Sequence, residues 1–174
     1  MYYFGTKRSI VGRETAWTRI ATDPDTMRTL AADITPALQQ AADDMPGAVL
    51  MIESLNELIG TPADQAITDM VKLARRNGHL IIGETETAGW GSSWPLLAEI
   101  RNSRRGIILQ PDAADGDNIF RVSFPRMKRS DYPQGRGLYV DNGKYWTIQL
   151  PLPDEPKPPL RGAAGEQTTT QPVQ

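Results

Sequence analysis

Residues 47–52, Gly-Ala-Val-Leu-Met-Ile, form an unbroken apolar run that ends on Glu53. A strand with one wet face alternates apolar and polar residues. An unbroken run predicts a strand covered on both faces, as in a parallel sheet. Two further runs share this character: His79-Leu80-Ile81-Ile82-Gly83 and, within Arg105–Gln110, Gly-Ile-Ile-Leu. Helical spacing fills the intervals. Thr61-Pro62-Ala63-Asp64 reads as a capped start, and Ile67, Met70, Val71 and Ala74 give one buried stripe. Leu96, Leu97 and Ile100 give another within Trp94–Ser103. The alternation strand–helix–strand–helix–strand predicts an α/β domain with a mainly parallel sheet and right-handed crossovers.

The flanks add to this frame. Tyr2-Tyr3-Phe4-Gly5 and Thr18-Arg19-Ile20-Ala21 read as short strands. Asp23-Pro24 starts a helix whose stripe is Met27, Leu30, Ala31, Ile34, Leu38 and Ala41, with Pro36 predicting a kink or break near Thr35. Leu138-Tyr139-Val140, Asp141-Asn142-Gly143 and Lys144–Leu150 read as a hairpin, since Asn-Gly supplies the positive φ angles of its turn. The folded part is therefore 1–150. Residues 151–174 hold six of the 14 prolines, with Gly, Gln and a Thr run, and read as a disordered tail. Truncation after Leu150 is expected to leave the melting temperature within about 4 °C, or about 1 kcal/mol for a domain of this size. A larger fall in a calorimetric scan means that the tail docks.

Composition removes several chemistries. The chain has no cysteine and one histidine, His79, which excludes disulfides, Cys-liganded zinc, iron–sulfur clusters, thiol catalysis and a His-rich metal site. No apolar run approaches a membrane span and the first residues do not form a secretory signal, so the expected setting is cytoplasmic. His79 precedes an apolar strand and reads as packed or surface-lying rather than as a general base. No G-x-S-x-G elbow is present.

Ligands of open α/β sheets lie beyond the carboxyl ends of the strands. Glu53 and Ser54, then Glu84, Thr85 and Glu86, then Gln110 and Asp112 stand there. An apolar strand ending in an acid is the Walker B pattern, in which the carboxylate holds a Mg²⁺ shell beside bound phosphates. A plain strand end gives the same letters. The phosphate cradle is a stricter test. Of the five lysines only Lys144 follows a glycine, and Tyr145 stands where Ser or Thr is required, so there is no G-x-x-x-x-G-K-[ST] motif.

From Arg101 to Arg136, eight basic residues face four acidic ones, a net +4 in a chain of net −2. This segment is either a solvated charged surface or a face for phosphates, and weak duplex DNA binding is the sharper expectation. Trp90 and Trp94 read as packing anchors.

Five segments in order, Ala48–Glu53, Leu73–Thr85, Trp90–Leu97, Arg104–Pro111 and Pro133–Gly137, resemble the C-terminal half of the motor domain of FtsK/SpoIIIE-type ATPases. The nearest branch is the actinobacterial one that includes the EccC ATPases of type VII secretion. The resemblance spans roughly residues 45–150. It implies a P-loop NTPase (RecA-like) α/β fold without its Walker A part, ending in a β-hairpin. It also implies ATP and Mg²⁺ as ligands, and DNA translocation or protein export as the task. Glu53 stands where the family places its Mg²⁺-associated acid, and Ser54 where many members place the acid that orients the attacking water. Glu84 and Thr85 match the sensor strand, and Arg136 lies in the segment leading to the hairpin. Ser54 lacks a carboxylate, and no counterpart of the P-loop half lies within these residues. The chain is thus expected to be either the C-terminal portion of such an ATPase, inactive alone, or a degenerate module that binds a partner protein. Its expected partners are other ATPase segments or subunits.

Overall fold

The computed structural model describes residues 1–41 and 47–151. Most of the expected tail therefore lies outside the described residues. Four parallel strands, β1 (Tyr2–Phe4), β2 (Arg19–Ala21), β3 (Val49–Ile52) and β4 (Leu80–Gly83), form a sheet in the order β2-β1-β3-β4. The register sets Phe4 beside both Ala21 and Ile52, and Leu50 beside both Tyr2 and Ile81. The connecting helices are α1 (Ile10–Glu14), α2 (Pro24–Leu38) and α3 (Asp64–Arg76), followed by α4 (Pro95–Arg101).

Residues of one parity along these strands face the helices. Phe4, Ala21, Leu50 and Ile52 are buried against Met27, Leu30 and Ile34 of α2, Ile67 and Val71 of α3, and Leu96 and Leu97 of α4. The other face differs from the expectation of two-sided burial. Tyr3 is fully buried there beneath α1 and Trp17, but Val49 and Met51 are half-buried, and Ile20, Leu80 and Ile82 are exposed. The apolar run of β3 thus has one covered face and one largely uncovered face.

Helix α2 begins as expected, with a reciprocal cap between Asp23 and Thr26 and Pro24 at its first position. Pro36 does not break it. Its ring removes the backbone bond to the Ala32 carbonyl, and the helix runs only two residues further, ending at Leu38. Thr35 Oγ1 donates to the Ala31 carbonyl at 2.8 Å in the same turn. Helix α3 starts at Asp64 without a side-chain cap on its own N-terminus. Thr61 Oγ1 instead accepts from the Ala63 N–H, and Asp64 accepts from the Gly60 N–H.

The third apolar run departs most from expectation. β5 (Arg105–Leu109) does not join the parallel sheet. It pairs antiparallel with β6 (Arg136–Asp141), which pairs antiparallel with β7 (Lys144–Gln149). The β6–β7 turn is the expected one, with Asn142 and Gly143 both at positive φ. A second core, Ile108, Ile119, Phe120, Phe124, Leu138 and Val140, lies under this sheet. Trp90 packs against both cores, and Arg101 Nη1 donates to its carbonyl oxygen. No described helix is long and apolar enough to cross a membrane.

Candidate functional site

Connectivity marks where a site belongs. The chain leaves β1 for β2 by way of α1 on one face, and leaves β2 and β3 by way of α2 and α3 on the other. The strands diverge in opposite directions between β1 and β3, and such a switch point opens a crevice at the carboxyl ends of those two strands. Glu53 stands at that place. Its Oε2 accepts from the Tyr3 hydroxyl at 2.6 Å and its Oε1 from Ser9 Oγ at 2.9 Å. Ser9 also caps α1, its oxygen accepting from the Gly12 N–H. Lys7 and Arg8 lie exposed in the same loop.

Burial and the bond to Glu53 push the Tyr3 phenol up to about 12. The folded value lies above the ordinary one of about 10, so the unfolded chain loses its proton first. The stabilisation is complete below pH ~10 and is lost as pH rises toward 12, by roughly 2–3 kcal/mol for a shift of this size. Urea midpoints measured from pH 9 to 12 should fall across that window, and Tyr3→Phe should flatten the fall.

Ser54 and Glu84 come together. Ser54 adopts a left-handed backbone (φ 53°), and its N–H donates to Glu84 Oε2 at 3.1 Å. The Glu84 N–H donates to the Ile52 carbonyl, and the Glu84 carbonyl accepts from the Leu55 N–H. Glu84, Thr85 and Glu86 line a groove of about 360 Å³ between β4 and β5, whereas Glu53 is bonded to Tyr3 and Ser9 on the β1 side of its strand. Arg136 lies on the antiparallel sheet. Among the described residues its side chain makes no hydrogen bond or ion pair with the other four.

The residues present do not form a Mg²⁺ cage by themselves. Each Glu53 oxygen already accepts a hydroxyl of this chain, and no cluster of three His, Asp or Glu residues suited to a metal occurs among the described residues. His79 is buried, and its Nε2–H donates to the Leu38 carbonyl at 3.1 Å, which fixes it as a packed residue. Trp90 is an anchor as expected. Trp94 is more exposed and donates to the Asp64 carboxylate at 2.8 Å.

In the basic segment, Arg105 forms a two-bond pair with Asp141 on β6. Asp112 and Asp115 cap each other's backbone and do not pair with arginine among the described residues. Arg101, Arg104 and Arg121 converge with Asn102, Asp117 and Asn118 on a small polar cleft of about 140 Å³. Sequence reasoning did not find Tyr3 or Ser9 as partners of Glu53, because they precede it by 50 and 44 residues.

No family model and no curated protein sequence matches the chain. Solved structures do. EssC (ATPases 2 and 3) from Geobacillus thermodenitrificans is similar over 86% of this chain and 30% of its own, with TM-score 0.63 and 15% identity. The cytoplasmic domain of the type VII secretion ATPase EccC from Thermomonospora curvata is similar over 88% of this chain and 20% of its own, with TM-score 0.62 and 19% identity. A cytoplasmic domain of EssC covers 86% and 33%, with TM-score 0.60 and 15% identity. The chain thus spans between a fifth and a third of the length of these structures. At such identities the likeness establishes the fold: this chain is built as the ATPase domains of EssC and EccC are built.

Proposed function

We propose that the chain is a non-autonomous module of an FtsK/SpoIIIE-like ATPase assembly for type VII-like protein export, working on the cytoplasmic side. It contributes to a shared nucleotide site or subunit interface and does not hydrolyse ATP alone. The observation that carries this reading is the unfinished parallel sheet, with Ile20, Leu80 and Ile82 exposed on one face of an ATPase-type fold. An apolar sheet face of this kind belongs against another layer. In the completed site Glu53, Ser54, Glu84 and Thr85 would stand near Mg²⁺-ATP, with phosphate-cradling groups and an activating base supplied by other segments. The expected result is phosphate release equal to a no-enzyme blank with Mg²⁺-ATP. A rate that scales with protein and falls on Glu53→Ala overturns it.

The engagement of Glu53 by Tyr3 and Ser9 favours a second reading, a degenerate ATPase-fold module that binds a partner protein. The arginine cleft bears on DNA translocation. Three guanidinium groups around one carboxylate attract phosphates, so duplex DNA should bind weakly, without base preference and with steep salt dependence. Fluorescence anisotropy at two salt concentrations measures this. Combining Arg104→Gln and Arg121→Gln should abolish the low-salt signal, and an unchanged signal leaves the partner-protein reading as the better one.

A further inference from the structure

Two chain reversals bring three arginines to one place. Helix α4 ends at Arg101, and the chain turns at Arg104 with φ 49°. The π-turn Gly116–Phe120 is closed by Arg121 with φ 56°. Glycine is the ordinary residue at such left-handed positions, and both carry arginine instead. The capping role that basic side chains often take at a helix end is already filled by backbone. The Asn102, Ser103 and Arg104 N–H groups donate to the Ala98, Ile100 and Arg101 carbonyls, and the Val122 N–H donates to the Gly116 carbonyl. The arginines instead line the cleft of about 140 Å³ that they share with Asn102, Asp117 and Asn118. Arg101 spends only Nη1, on the Trp90 and Ser92 carbonyls. Among the described residues, the side chains of Arg104, Arg121, Asn102, Asn118 and Asp117 make no hydrogen bond or ion pair. Like charges gathered without a counter-ion repel, and a bound anion removes that repulsion.

We propose that this cleft is a binding site for inorganic phosphate in its monohydrogen form. Charge is the first reason. Three guanidinium groups and one carboxylate leave the cleft a net +2, which a dianion neutralises. Guanidinium forks match phosphate oxygens in pairs, and the Asn102 and Asn118 amides add further donors. Size is the second reason. The cleft has the volume of about five water molecules at ~30 Å³ each, enough for one tetrahedral oxyanion. Its one apolar lining residue, Ile119, is buried, so a base, sugar or aromatic ester finds no wall to pack on. Asp117 then selects among the oxyanions. An ionised carboxylate only accepts hydrogen bonds. It repels sulfate, an ester phosphate dianion and a DNA diester, none of which has a proton to give. Monohydrogen phosphate keeps two charges for the arginines and one P–OH for Asp117. Duplex DNA is drawn to the same charges from a distance, but occupancy of the cleft by phosphate goes beyond that expectation. It stands on the cleft's geometry and not on the ATPase reading.

The test is calorimetric titration of the full 174-residue chain with sodium orthophosphate, sodium sulfate and methyl phosphate, at matched ionic strength and mildly alkaline pH. Orthophosphate should bind with a Kd of about 1 mM or tighter, and about tenfold more tightly than either of the other two. Asp117→Asn puts an amide that can donate in place of an acceptor, so sulfate should then bind as well as orthophosphate. Arg104→Gly combined with Arg121→Gly should weaken orthophosphate binding about tenfold or more. The urea midpoint of that variant should stay level or rise, because glycine suits both left-handed positions. Arg104→Gln combined with Arg121→Gln should weaken binding likewise. Equal affinity for all three anions, no heat with orthophosphate, an orthophosphate preference kept by Asp117→Asn, or binding unchanged in both double variants overturns the inference. Orthophosphate binding without a duplex DNA signal supports this site and removes the DNA expectation, and DNA binding without orthophosphate does the reverse.

Discussion

Leu50→Ala should lower the free energy of unfolding by about 3–5 kcal/mol. Leu50 is fully buried at the middle of β3, between Tyr2 on β1 and Ile81 on β4, where α2 and α3 converge on the sheet. Two costs add there. The lost methyl and methine groups forfeit their transfer free energy, and the vacated volume is slow to close. Strand spacing is held by backbone bonds on both sides of β3, so the sheet cannot move inward to fill the space. Urea denaturation followed by far-ultraviolet circular dichroism measures the change. The matched control is Ile107→Ala, which is 52% exposed and should change stability by less than about 0.5 kcal/mol. A cost below ~1 kcal/mol for Leu50→Ala would mean that this strand is not packed as described.

Gly116→Ala should cost about 3 kcal/mol, confined to the antiparallel half. Gly116 begins a π-turn that runs to Phe120, and its carbonyl accepts from the Val122 N–H at 3.0 Å. A Cβ at this position would collide with the Val122 carbonyl oxygen and approach Phe124 Cγ to 2.7 Å. A backbone oxygen cannot rotate aside as a side chain does. The turn must open, and with it go Phe120 and Phe124, which pack on the second core, and the edge contact of Phe124 with Tyr145. Hydrogen exchange separates local from global loss. Protection at Leu138 and Val140 should fall while that at Leu50 and Ile52 is kept. Equal loss in both sheets would contradict two separate cores.

The parts of the fold that were legible in the sequence are those governed by neighbours in the chain. The cap at Asp23, the stripe of α3 and the Asn142-Gly143 turn are local, and the structure keeps all three. The fold class follows from their order. What was not legible depends on distant partners. Gly106–Leu109 has the same apolar continuity as Leu80–Gly83, but the sheet it enters is decided by β6, about thirty residues onward, whose register sets Ile108 against Leu138. The unbroken run in β3 says that both faces are apolar and not whether this chain covers both. At the site, the adjacency of Ser54 and Glu84 followed from two neighbouring strands ending together. The hydroxyls on Glu53 come from the first nine residues, and no spacing rule connects them to it.

The junction at Trp90 has a mechanical consequence. Its ring touches both cores and its carbonyl is gripped by Arg101, so among the described residues it ties the sheets together where no ladder does. A ladder loaded along its strands resists through many bonds at once, whereas a tie of one ring and one guanidinium yields piecemeal. Under tension across the chain this side-chain junction should therefore yield before either sheet does. Any element that stiffens this joint would turn the pair into one lever able to transmit a displacement from the end of β4 to the hairpin.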